Sequence, residues 1–444
     1  MGEFLTGSTG EHGVTDGCRR HGGTVPTGNF AVRGGAPEGD TGGGDNYGSP
    51  MTTRIVAGAR TPIGKLSGAF SSLSAADLGG AAIAAALERA GVDPADVDHV
   101  IMGQVLMAGQ GQVPARQAAA KAGIPMSVPS VNVNKVCLSG LNTVYLAHQM
   151  IASGDADIVV AGGMESMTNA PHLLPAARAG IRYGDAEVRD AIVHDGLWCA
   201  FDACLMGTGT ERYTAGAISR AAQDEFAAAS HERAADATKN GRLADEIASV
   251  SVPQRRGDAV VVTEDEGIRA DTTADSLGGL RPAFDPSGTI TAGNASQISD
   301  GGSALVLMSE AEADRRGVES LGEFVSFGMV AGPDNPSLLL QPSNAIRAAL
   351  ARTDLGVDDL DLVEINEAFA AVGIASTADL ALDPERVNVN GGAIALGHPI
   401  GMSGNRLALT LLHELRRRGG GVGGGRVVRR RWAGRRPDRP RVLS

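Results

Sequence analysis

Two stretches of the chain begin alike: VNVNKVCLSG at residues 131–140 and VNVNGGAIALGHPIG at residues 387–401. In each, the Val/Asn alternation has the two-residue period of a short strand, and a turn into a helix follows. The repeat precedes the most chemically suggestive residues of the sequence both times, which implies a duplicated domain that brings two strand ends to one site. Working outward, the apolar runs RIVAG, DHVIMG, DIVVAGG and LDLVEIN alternate with Ala-rich helical stretches such as DLGGAAIAAALERAG. That is the pattern of an α/β protein. Residues 169–295 break it with shorter, more polar pieces, including LRPAFDPSGT, and read as an insertion that supplies loops around the site.

The composition suits a soluble globular protein: 444 residues, 43% hydrophobic and 20% charged. No stretch reads as a membrane span. The first residues, MGEFLTGSTGEHG, lack a basic n-region and an apolar h-region, so the expected location is cytoplasmic. Residues 1–50 carry little periodic hydrophobicity and read as a disordered tail or as leader translated from an upstream start, with Met51 opening the strand-like RIVAGA run. The four cysteines, Cys18, Cys137, Cys199 and Cys204, have neither CxxC nor HxxxH spacing, which argues against a metal site and a disulfide framework. A net charge of -12 makes a nucleic-acid-binding body an unsuitable reading.

In the first copy of the repeat, Cys137 sits on the turn, and Ser139 and Gly140 start a helix without bulk beside the sulfur. A cysteine there feels the positive end of the helix dipole, which favours thiolate. The helix itself, with Leu141, Val144, Leu146, Met150 and Ile151, reads as buried on every side. In the second copy, His398 is held between Gly397 and Pro399 before the next helix. The duplication places it opposite the cysteine turn, which suggests a nucleophile and base pair. In VEINEAFA, Asn366 with Glu367 either caps a helix or turns an amide toward a water or a substrate carbonyl.

The runs VAGARTPIGK, VNVNKVCLSGL, TAGNASQISDGGSALVLMS, EINEAFA and NVNGGAIALGHPIG resemble, in order and spacing, the thiolase family and within it the acetyl-CoA acetyltransferases. The resemblance covers about residues 53–423 and implies a five-layer αβαβα duplication with a loop domain inserted in the first half. It implies boundaries of 51–320 for the N-terminal domain, with the loop domain at 169–295, and 321–424 for the C-terminal domain. By position, Cys137 is the nucleophile that carries the acyl thioester, and His398 is its base and, with a water held by Asn366, an oxyanion hole. Ser296 would touch the pantetheine arm and Arg269 the nucleotide end of coenzyme A, while Phe369 and Met206 would line the acyl channel. The implied substrates are acetyl-CoA and acetoacetyl-CoA, with no permanently bound cofactor and no metal, in a homodimer or homotetramer. A longer-chain 3-ketoacyl-CoA thiolase and a non-catalytic acyl-CoA-binding protein are the alternative readings. A ketoacyl synthase would need a second active His, which the GTGT run at 207–210 lacks immediately before it.

Two departures stand out. Leu205 precedes Met206 and Gly207 where many relatives have His. The chain also ends GGGVGGGRVVRRRWAGRRPDRPRVLS, whose Arg run would ordinarily mark a nucleic-acid or membrane tail. Thiolases instead end with a CxGGGxG run, whose Cys is the second catalytic base and whose Gly amide serves an oxyanion hole; none occurs here. Back-translated in GC-rich codons and read one base later, the tail yields AGALCGGGGQGDALIVR, which contains that motif and accommodates the single codon of Trp432. Residues 425–444 therefore read as an out-of-frame product, arising in the sequence record or as a real lesion, with severe impairment of condensation expected.

Overall fold

A computed structural model of the chain describes residues 52–332, 335 and 337–425, and the backbone of 428–430, all within one unit, Gly48–Ser444. The expectations for residues 1–51, and those for most of the Arg-rich tail including Trp432, lie outside the described residues.

In the first half, β1 (Thr53–Arg60) leads to α1 (Ala75–Ala90). This helix starts at a reciprocal Ser74/Asp77 capping box and stops at Gly91, whose φ of 62° is the left-handed geometry glycine tolerates. There follow β2 (His99–Gly103), α2 (Pro114–Lys121), β3 (Ser130–Val133), α3 (Ser139–Ser153) and β4 (Ile158–Ser166). The insertion holds a hairpin of β5 (Trp198–Cys199) and β6 (Cys204–Leu205), then α4 (Met206–Thr214) and α5 (Arg220–Lys239). The half closes with β7 (Ser299–Ser309). In the second half come β8 (Gly322–Phe324), α6 (Gln341–Leu350), β9 (Leu362–Val363), α7 (Ala370–Asp379), α8 (Ile400–Arg417), β10 (Gly421–Gly424) and β11 (Val428–Arg430).

The strand order states the duplication outright. The first half runs β3-β2-β4-β7-β1 and the second runs β9-β10-β11-β8, with Val387 bridged in parallel to Val363 outside β9. Both halves therefore place their third strand position beside the second, then the fourth, fifth and first. The senses also match: the third, second and fourth run parallel, and the fifth is antiparallel to the fourth and the first. The two VNVN copies occupy the same place in the two halves. An antiparallel contact of β1 with β8 joins the halves into one sheet.

Three apolar layers show why the arrangement is stable. Ile83 and Leu87 of α1 pack on Val100, Met102, Val160 and Val306 of one sheet face. The other face offers Ile101 and Leu305 to Leu141 and Val144 of α3 and to Leu409 and Leu412 of α8. Beyond α8, Val363 and Ile365 meet Ile346 and Leu350 of α6 and Leu380 after α7. The order is thus helices, the strands of the first half, the α3/α8 pair, the strands of the second half, helices, the expected αβαβα stack. All residues of β4 and β7 are buried, as strands covered on both faces must be.

Two local expectations need correction. Residues 387–390 do not form a strand: Asn388 turns to φ 48°, and its amide group makes the paired bonds to Ile365 N and O that a strand backbone would make, at 2.8 Å each. Helix α3 is buried through its first turns, against α8 and the sheet, but Gln149, Ala152 and Ser153 reach the surface. Past residue 424, the backbone of β11 takes the fifth-strand place, though β11 has 3 residues where β7 has 11.

Candidate active site

Cys137 lies on the turn between β3 and α3, and the turn is strained. Val136, a β-branched residue, is held at φ 50°, a conformation costing of order 1–3 kcal/mol that persists only where its surroundings enforce it. Ser139 does the enforcing: its Oγ accepts from Lys135 N at 2.8 Å and donates to Val136 O at 2.6 Å. The Cys137 side chain packs against a cluster that includes Leu106, Met167 and Ile400, the first residue of α8.

His398 arrives from the other half. Its backbone N–H is shared between Gln297 O at 3.1 Å and Ser299 Oγ at 3.2 Å, which anchors the loop to the start of β7. The approach of the two central helices requires glycine. A Cβ on Gly140 would lie 2.7 Å from Gly401 O, and one on Gly404 would lie 2.7 Å from Leu141 N. With both positions bare, His398 Nε2 stands 3.1 Å from Cys137 Sγ.

The far side of the imidazole sets its tautomer. Ser403 Oγ is 2.5 Å from His398 Nδ1 and gives its own proton to Pro399 O at 2.9 Å, so Nδ1 carries a proton and Nε2 presents a lone pair to the thiol. Burial, reinforced by the Arg406 cation, lowers His398 to about 4. Burial also pushes the Cys137 thiol up to about 12, against a backbone hydrogen bond that lowers it and with Glu165 raising it further. The expectation that the helix terminus would favour thiolate is thus overruled by desolvation. Both shifts favour a neutral thiol beside a neutral imidazole.

Asn366 completes the constellation. Its Nδ2 is 3.3 Å from His398 Nε2, and its Oδ1 is buried without a hydrogen-bond partner among the described residues. It is no helix cap, since Phe369 precedes α7 and makes no side-chain cap bond. Glu367, its neighbour, is structural: it accepts from Ser230 Oγ at 2.7 Å, Asn388 Nδ2 at 2.9 Å and Ile394 N at 3.1 Å, pinning the second VNVN turn. Glu165 ties the site together from below, accepting from Val105 N, Leu106 N and Gly401 N. Glu364, raised to about 8 chiefly by burial, pairs with the buried Arg406 at 3.1 Å.

A cavity of about 540 Å³ opens over these groups, its walls including Cys137, Leu138, Trp198, Met206, Asn366 and Leu407. Met206 is on the wall. Phe369 is instead packed behind it with Ile290, Val372 and Phe284, which it meets edge to face at 5.9 Å between centroids. Ser296 is tied through its N–H to Ala368 O, beside the cavity-lining Ala368. Arg269 is exposed and away from the sulfur, with Nη2 3.0 Å from His231 Nε2. Leu205 pairs with Trp198 across the β5–β6 hairpin. Among the described residues no His/Cys/Asp/Glu cluster could hold a metal ion, and no helix is long and apolar enough to cross a membrane. Sequence reasoning missed Ser403, Glu165 and the strain at Val136. Ser403 had a readable signal, since it lies four residues after Pro399 in the first turn of a helix and so faces back toward the histidine loop.

Comparison with known proteins shows the family. The family profile described as "Thiolase, N-terminal domain" matches residues 53–311, and "Thiolase, C-terminal domain" matches 318–428. A probable acetyl-CoA acetyltransferase of Mycolicibacterium smegmatis is 56% identical over 368 residues, covering 83% of this chain and 95% of the relative. The acetyl-CoA acetyltransferase of Cupriavidus necator is 49% identical over 389 residues, covering 85% and 99%. The crystal structure of the Bacillus anthracis acetyl-CoA acetyltransferase superimposes with a TM-score of 0.81 at 39% identity, covering 85% of this chain and 97% of that one.

Proposed function

The chain belongs to the thiolase family, a family of acyltransferases, and from that premise we propose that it is an acetyl-CoA C-acetyltransferase joining two acetyl-CoA into acetoacetyl-CoA and CoA, or running the reverse thiolysis. The observation that carries the reading is the 3.1 Å approach of His398 Nε2 to Cys137 Sγ, the latter on the wall of a largely apolar cavity. Sulfur attacks the thioester carbonyl while Nε2 takes its proton, and the departing CoA sulfur takes that proton back, leaving acetyl on Cys137. Asn366 and His398 then face the carbonyl oxygen of the second acetyl-CoA, where negative charge develops as its methyl proton is removed.

That last proton needs a base, and the second cysteine of the family is absent from this sequence. Cys199 lines the same cavity but belongs to the hairpin of the insertion. Loss of a positioned base costs about 10² to 10⁴ in rate. Loss of an oxyanion donor costs about 10² to 10³, and the two need not add. The chain as written therefore acylates but condenses poorly. Radiolabelled acetyl-CoA is expected to label Cys137, with acetoacetyl-CoA formation rising at least a hundredfold when the tail is replaced by AGALCGGGGQGDALIVR. Unlabelled Cys137 in a protein that binds acetyl-CoA would overturn the assignment.

The working form on this reading is a cytoplasmic homo-oligomer. Its support is the free edge strand β3, where Val131 is exposed and Met126, Val136 and Leu138 are exposed nearby, an edge that pairing with a second copy would cover.

A further inference from the structure

The insertion carries two cysteines that the acyl transfer does not use. Cys199 ends β5 and Cys204 begins β6, and they are directly opposite each other in the antiparallel register. Opposed residues of such a ladder point to one face, with Cα atoms about 4.5–5.5 Å apart. A disulfide spans about 4.4–6.8 Å between Cα atoms, so this register matches the span of a bridge. Both thiols are free in the structure, and both lie within electrostatic reach of the Tyr213 phenol, which donates to Asp202 in the hairpin loop.

We propose that Cys199 and Cys204 form a redox couple that closes a cross-strand disulfide at the cavity wall by exchange with a low-molecular-weight disulfide. The two sulfurs have different surroundings. Cys199 is half-buried, lines the cavity and accepts from Asp202 N at 3.4 Å. Cys204 is buried, 3.6 Å from Arg212 Nη1. The accessible Cys199 thiolate attacks one sulfur of the incoming disulfide, forming a mixed disulfide and releasing one thiol. The Cys204 thiolate then attacks the Cys199 sulfur and releases the second thiol. Two protein thiols lose two electrons and two protons in total, and the small disulfide is reduced to two thiols.

The bridge encloses only the CAFDAC hairpin, so it removes little chain entropy and is readily reduced again, as a reversible modification must be. It would also be felt at the site. Trp198 and Met206, which flank the two cysteines in sequence, are both on the cavity wall, and α4 starts at Met206 directly after β6. Locking the hairpin fixes the width of the cavity at this end.

The test is incubation of the reduced full chain with oxidised glutathione, followed by alkylation, digestion and mass mapping. A Cys199–Cys204 crosslinked peptide, reversed by dithiothreitol, is the expected result, with the rate of Cys137 acetylation changing severalfold on closure. In Cys204→Ser the Cys199 glutathione adduct should accumulate because nothing resolves it. Independent alkylation of both thiols after oxidation, or a Cys137–Cys199 crosslink in place of Cys199–Cys204, would overturn the proposal. So would a Cys204→Ser protein that gains no adduct.

Discussion

Replacing Ser403 with Ala tests whether the tautomer of His398 is set from behind. Ser403 Oγ is the partner of Nδ1 at 2.5 Å, and its own proton is committed to Pro399 O. Alanine leaves Nδ1–H buried with no acceptor, because His398 is 5% exposed and its other nitrogen faces Cys137 and Asn366. An orphaned buried donor costs about 1–3 kcal/mol. The imidazole can escape part of that cost only by moving its proton to Nε2, the nitrogen that must accept from the thiol. Either way the base is weakened, by a factor of roughly 5 to 150 at about 1.4 kcal/mol per decade. The assay is single-turnover labelling of Cys137 by radiolabelled acetyl-CoA, which reads the first half-reaction independently of the tail. Ser403→Thr, which keeps the hydroxyl, should recover most of the rate. Labelling of Ser403→Ala within twofold of the parent, in a protein with unchanged thermal midpoint, would refute the reasoning.

Four further outcomes follow from the geometry. His398→Asn should slow Cys137 acetylation by about 10² to 10⁴, the usual worth of a positioned base, measured in the same labelling assay. With the thiol pushed up to about 12, alkylation of Cys137 by iodoacetamide should keep rising beyond pH 9 and show no plateau near the free-cysteine value, whereas a thiolate–imidazolium pair would plateau early. His398 also links stability to pH: its folded value of about 4 lies below the unfolded 6.5, so the unfolded chain binds more protons between those values. Stability should therefore fall as pH drops from 6.5 toward 4, by up to about 3 kcal/mol more than in His398→Asn, as read by denaturant titrations at several pH values. Val131→Lys on the β3 edge should yield a monomer by sedimentation, the charge opposing strand pairing between copies.

The fold was legible because a duplication leaves its mark twice. The VNVN echo located the third-strand position of each half, and the alternation of apolar runs with Ala-rich stretches marked the layers. Cys137 and His398 were legible through the glycine-bounded turns that carry them. Asn388 was misread because a side-chain amide can replace a strand's backbone bonds, and a Val/Asn alternation does not say which of the two is making them. The state of the Cys137 thiol was misread because local sequence shows the helix terminus but not the burial contributed by α8 and the distant cavity walls. The strain at Val136 was invisible for a similar reason, since Ser139, Lys135 and the helix contact enforce it together. Phe369 was put on the acyl channel by the resemblance alone, which says nothing of its packing with Ile290, Val372 and Phe284.

The place of β11 also governs how the chain can be assembled during synthesis. It lies between β10 and β8, so both neighbours are made before the segment that joins them. In the first half β7 plays the same part, inserted between β4 and β1 and long enough to grip both along their lengths. A nascent chain can therefore complete its first half while still on the ribosome. Its second half must hold two unmatched strand edges open until the final segment emerges. A change in β11 is therefore felt at both of those edges at once.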